Sequence, residues 1–167
     1  MKIYIASSWR NEHQPRLVRM LRSPRHQVYD FRHPMPGNDG FHWSEIDPKW
    51  QDWTPEEYRQ ALRHPVAGAG FALDSAALQW CDLCILVLPS GRSAHAEYFW
   101  AIGRGKHGII FVPEPIEPEL MYLLGGHICV NCGEIADEVM RLDKCMNRLY
   151  PAAPAARSPI PPNSGAA

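Results

Sequence analysis

Glu97 lies in the stretch "LPSGRSAHAEYFWA" (Leu88–Ala101), a lone carboxylate followed directly by Tyr98, Phe99 and Trp100. Glutamate is almost never fully buried without a partner. A carboxylate in such company is therefore either on the wet face of a helix or held there for chemistry. The chemistry open to it is nucleophilic: a carboxylate about 3 Å from a sugar's anomeric carbon can attack it and form a covalent glycosyl-enzyme intermediate. That reaction calls for a second acid to protonate the leaving group. Asp74, in "FALDSAALQWCD", is the candidate, with a solvated aspartate at a helix start as the alternative. Tyr4, in the first apolar run, has a hydroxyl that could orient Glu97, or is a core tyrosine whose hydroxyl finds another partner.

The residues just before Glu97 suit an anion. Ser90, Gly91 and Ser93 are small enough for backbone to approach a phosphate or sugar hydroxyl, and Arg92 adds a fixed charge with bidentate geometry. The helix that follows would present free N–H groups at its start. A plain strand-to-helix turn with an N-capping serine is the alternative. Ser7 and Trp9 close the first apolar run, where further substrate contacts are expected. Trp9, Phe41, Trp43, Trp50 and Trp53 either stack on a base or close a small satellite core under a loop.

The elements that must position these groups alternate between strands and helices. "KIYIA", "HQVYDF", "LCILVLP", "HGIIFVP" and "HICV" read as strands. Helices are expected after Pro15, over "TPEEYRQAL", "GFALDSAALQWCD", the stretch after Ser90, "PELMYLLGG" and "GEIADEVMRLDKCMNRLY". Thr54, Pro55 and Glu57 carry the signature of a capped helix start. Near-continuous apolar strands alternating with helices predict an α/β fold, a doubly wound parallel sheet covered on both faces. Ligands of such sheets sit at the carboxyl ends of the strands, where Ser7, Trp9 and the Ser90–Ser93 turn converge. One domain over residues 1–149 is expected, with a Pro-, Gly- and Trp-rich insert at about 32–66 as a lid or binding loop. The Pro/Ala-rich tail, 150–167, is expected to be disordered.

A formal net charge of -1 with no basic run gives no footprint for a nucleic acid polymer. No apolar run reaches the roughly 18 residues of a membrane helix. The start, "MKIYIASSWR", has no export-signal pattern, so a cytoplasmic location is expected. The cysteines at 81, 84, 129, 132 and 145 form two C-x-x-C pairs and a fifth thiol, an odd count that does not suit a disulfide framework. Core packing of these thiols is the expectation and a structural zinc site the alternative. The chemistry above needs neither metal nor cofactor.

"KIYIASSW", the aspartate in "ALDSAALQWCD", the strand "CILVLP" and then "SGRSAHAE", in that order, resemble the nucleoside 2-deoxyribosyltransferase superfamily, which includes 2'-deoxynucleoside 5'-monophosphate N-glycosidases. The resemblance spans about residues 1–145. It implies a flavodoxin-like, five-stranded parallel sheet and cleavage of the N-glycosidic bond of a 2'-deoxynucleoside or its 5'-monophosphate, with transfer to water or another base. By position, Glu97 matches the nucleophile, Tyr4 the tyrosine that orients it, Asp74 the acid at the leaving base and Trp9 an aromatic beside the base. The family's transferases carry a further acid in the loop held here by Ser90, Gly91, Arg92 and Ser93. Its replacement resembles the phosphate-binding loop of the monophosphate N-glycosidases. No asparagine near His127 matches the one that transferases lend to a neighbouring subunit, which favours hydrolysis over base exchange. Family members assemble as dimers or larger oligomers, so a homodimer at least is implied.

Two other functions use the same residues. A TIR-like NAD glycohydrolase would direct the glutamate at a ribosyl–nitrogen bond and release nicotinamide. A non-catalytic nucleotide-binding module would use the Ser/Arg turn for phosphate and leave Glu97 to contact a ribose hydroxyl.

Overall fold

The computed structural model describes residues 1–149. Its elements run β1 (Lys2–Ala6), α1 (His13–Leu21), β2 (Gln27–Tyr29), α2 (Pro55–Ala61), α3 (Pro65–Trp80), β3 (Leu83–Val87), α4 (Arg92–Gly103), β4 (His107–Phe111), β5 (His127–Cys129) and α5 (Cys132–Leu149). Short 3-10 turns lie at Trp43–Glu45, Trp50–Asp52 and Leu120–Leu124. The strands form one all-parallel sheet in the order β2-β1-β3-β4-β5, the flavodoxin-like arrangement.

The period-2 alternation of a strand sorts each side chain to one face. Ile3 and Ile5 of β1, with Leu83, Ile85 and Val87 of β3, pack on one face with Leu17, Val18 and Leu21 of α1 and Ile135, Val139 and Leu142 of α5. Tyr4, Ala6, Tyr29, Cys84 and Leu86 point to the other face and meet Ala77 and Leu78 of α3 and Ala94, Tyr98 and Ala101 of α4. Every residue of β3 is buried, as expected for the middle of a sheet covered on both sides. Among the described residues, no helix is long and apolar enough to cross a membrane.

The cysteines of the two C-x-x-C pairs go to opposite faces. Cys81 and Cys84 are buried in the α3/α4 layer, while Cys129, with Cys132 packed beside it, belongs to the α1/α5 layer. All five are free thiols.

Several boundaries differ from the sequence reading. The second strand is Gln27–Tyr29 and not the whole of 26–31, because Asp30 turns its carboxylate to Gln14 Nε2 (2.8 Å) and to the backbone N–H of Arg32 (3.2 Å). The helix carrying Asp74 begins at Pro65, five residues before Gly70, because His64 accepts from the Val66 N–H and Pro65 sits at its first position. The insert therefore ends in helix α3, and it holds α2, whose start at Thr54 has the reciprocal Thr54–Glu57 bonds of a capping box. The segment "PELMYLLGG" forms a 3-10 turn and not an α-helix. The tail, 150–167, lies outside the described residues.

Candidate active site

Tyr4 and Tyr29 are paired across β1 and β2, and both face the α3/α4 layer. Helix periodicity brings a carboxylate to each. On α3, Asp74 precedes buried Ala77 and Leu78 by three and four residues; on α4, Glu97 stands between Ala94 and Ala101, three before and four after. Both acids thus lie on the stripe that each helix turns to the sheet. The carboxylate in an apolar helical turn is held against the sheet's tyrosines, not on the wet face.

The Tyr29 hydroxyl donates to Asp74 Oδ1 at 2.8 Å. Burial pushes Glu97 up to about 7, with the Asp74 charge adding to the rise and the Tyr4 hydroxyl opposing it. Burial likewise raises Asp74 to about 6 against the Tyr29 bond. Both phenols are held well above their usual range, by burial first and then by the carboxylates, so they stay protonated donors. Two half-buried carboxyls raised toward neutral pH, Glu97 further by the Asp74 charge, can carry one proton between them: one is left as a nucleophile or base, the other as an acid.

The carboxyl-edge loops are tied to one another. Ser7 Oγ donates to Val87 O (3.1 Å) at the end of β3. Buried Asn11 donates from Nδ2 to Val87 O (3.3 Å) and Pro89 O (3.0 Å), while its Oδ1 accepts from the N–H groups of His13 and Gln14 at the start of α1. Arg32, just past β2, donates to Ser8 O (2.9 Å) and Asn11 O (2.8 Å). Ser90 is half-buried, and Gly91, Arg92 and Ser93 are exposed at the start of α4, which no side chain caps. A Cβ at Gly91 would meet nothing within 4 Å, so there is open space above this turn.

The aromatic residues divide into two groups. Phe41, Trp43 and Trp53 make successive edge-on contacts (4.7 and 5.7 Å), and Phe41 lies against Gly70 of α3. Trp9 meets the His42 ring at 4.0 Å and the Phe31 edge at 5.2 Å, with Gly40 close against its six-membered ring. Trp9 remains 38% exposed. Phe41 and Trp43 thus have the satellite-core contacts that were one of the two readings, and one face of Trp9 is covered by the insert's own imidazole.

Sequence reasoning missed Tyr29, Asn11, Arg32 and the pair His95–Tyr122. Tyr29 was legible only through strand register, which the sequence does not state. Asn11 stands just before the "EHQP" opening of α1, a position typical of a capping side chain.

No family model matches the sequence, and no curated protein matches it. Among solved structures, the chain is similar to BcmB, a CMP N-glycosidase of Clostridium botulinum, with 15% identity and a TM-score of 0.46 over 84% of this chain and 99% of that one.

Proposed function

We propose that this chain cleaves the N-glycosidic bond of a 2'-deoxynucleoside 5'-monophosphate or its nucleoside, through Glu97. The observation that carries the reading is the pair of half-buried carboxyls raised toward neutral pH, Glu97 and Asp74, with Asp74 hydrogen-bonded by Tyr29 and Glu97 influenced by Tyr4. Perturbed pairs of this kind are what acid and nucleophile roles require. The motif resemblance assigns the same roles to the same positions.

The reacting form is the minority arrangement of the shared proton, with Asp74 protonated and Glu97 ionised, since Glu97 is raised the higher of the two. In the first step Glu97 attacks C1' as the C1'–N bond breaks, and Asp74 gives its proton to the departing base. In the second, Asp74 takes a proton from water, the oxygen attacks C1', and the Glu97 carboxylate is released. A second base in place of water would make the same chemistry a transfer. Tyr4 keeps the Glu97 carboxylate oriented, and Tyr29 does so for Asp74. Ser90, Gly91, Arg92 and Ser93 hold the 5'-phosphate by the uncapped start of α4, beside Ser7. Trp9 takes the base once His42 yields its face, while Phe41 and Trp43 support the insert from their packing beside α3. No metal or cofactor takes part, and two copies of the chain form the working unit.

The test is base release from a panel of 2'-deoxynucleosides, their 5'-monophosphates and NAD, with and without a second free base. Base release without an acceptor identifies hydrolysis, and release only with one identifies transfer. Nicotinamide from NAD alone replaces this reading with a NAD glycohydrolase. Binding without turnover across the panel replaces it with a binding module.

A further inference from the structure

His95 makes contacts that neither the packing of α4 nor the carboxylate pair requires. The first backbone bond of α4, from His95 N to Gly91 O, is stretched to 3.4 Å, while the ring Nδ1 of the same residue lies 2.9 Å from that oxygen. The other ring nitrogen, Nε2, is 2.8 Å from the Tyr122 hydroxyl, with the two rings inclined by 18°. Ser90 Oγ is 3.4 Å from Nδ1. A carbonyl oxygen only accepts, so Nδ1 carries the proton, and Nε2 accepts from the Tyr122 O–H.

We propose that His95, locked by Tyr122, is a positioning residue that aims the Arg92 amide of the Ser90–Ser93 turn at an anionic ligand. This rests on the reading of that turn as the seat of the 5'-phosphate. The Gly91 carbonyl and the Arg92 N–H belong to one planar peptide, so a bond that fixes the oxygen also fixes the direction of the N–H. The two groups point oppositely across that peptide, so the N–H is directed away from the helix, at the exposed start of α4 that no side chain caps. A bond to the carbonyl also polarises that N–H as a donor. Tyr122 belongs to the Leu120–Leu124 turn, between β4 and β5, and sets the ring from outside α4.

Two readouts test this on the full chain. The first is the dissociation constant for inorganic phosphate, followed at the Arg92 amide by NMR, in wild type, Tyr122→Phe, His95→Ala and His95→Asn. The second is kcat/KM for a 2'-deoxynucleoside 5'-monophosphate divided by that for its parent nucleoside. Tyr122→Phe is expected to weaken phosphate about five-fold and His95→Ala about ten-fold, each lowering the kcat/KM ratio by the same factor. His95→Asn, which keeps a donor on the side chain, should recover part of the loss. Unchanged phosphate affinity in folded Tyr122→Phe, an unchanged ratio, or no phosphate binding by wild type would each overturn the proposal. Phosphate binding weakened in the variants, with no base release from any substrate, would sustain it and overturn only the N-glycosidase reading.

Discussion

Tyr4 and Tyr29 stand opposite each other on neighbouring strands, with ring centroids 5.3 Å apart and planes inclined by 19°, and each serves a different carboxylate. Tyr29 donates to Asp74 at 2.8 Å, and Tyr4 favours the ionised form of Glu97. The register of two strands thus sets the spacing of the two acids, although the acids themselves come from two helices. A shift of β2 by one residue would turn Tyr29 to the opposite face and leave Asp74 without its donor.

The paired acids predict a bell-shaped pH dependence. The form bearing one proton between them is most populated between about 6 and about 7, the values to which Asp74 and Glu97 are raised. Base release measured as kcat/KM should peak in that window and fall on both sides. A rate that keeps rising to pH 9 would show that no protonated carboxyl takes part.

Tyr29→Phe removes the donor that favours ionised Asp74, while leaving the ring and its stack in place. The acid limb of the pH profile should move upward by about one unit. The peak should narrow and shift to higher pH. An unmoved acid limb would mean that the Tyr29 hydroxyl does not act on the titrating group.

Stability should also depend on this pair, with a sign opposite to that of a salt-bridged acid. Burial raises Glu97 to about 7 from 4.5 and Asp74 to about 6 from 3.8, so the folded chain keeps protons that the unfolded chain has released. Stability therefore falls as pH rises from about 4 to about 7, and the full penalty is present above the folded values. Glu97→Gln should raise Tm at pH 8, by an amount corresponding to roughly 2–3 kcal/mol, with the gap closing by pH 4. Thermal unfolding of both proteins across that range measures it. Equal Tm values at pH 8 would place Glu97 in water.

Much of this arrangement is written in local patterns. The apolar strands, the capping box at Thr54 and the order of the short motifs lead to the parallel sheet and to Glu97 and Asp74. What depends on tertiary register was not legible. Tyr29 reads as one more strand aromatic until β2 is set beside β1. The end of β2 at Asp30 depends on Gln14, 16 residues earlier in the chain. The start of α3 depended on a weak local signal, since a histidine before a proline is an uncommon cap.

Asn11 should be among the most sensitive residues outside the carboxylate pair. It is buried and ties the end of β3 and Pro89 beyond it to the start of α1, whose first N–H groups it accepts. Asn11→Ala leaves carbonyls and N–H groups unpaired together, so a loss of about 2–3 kcal/mol is expected in urea unfolding. A change below about 0.5 kcal/mol would mean that water replaces these bonds without cost.

The most direct experiment is intact-protein mass spectrometry on wild type and Glu97→Gln after acid quench during turnover of a 2'-deoxynucleoside 5'-monophosphate, alongside base release. Wild type should gain one deoxyribose 5-phosphate unit, mapped to the peptide containing Glu97. The variant, folded, should gain none and release no base. Base release undiminished in Glu97→Gln would contradict the assignment of Glu97 as the nucleophile.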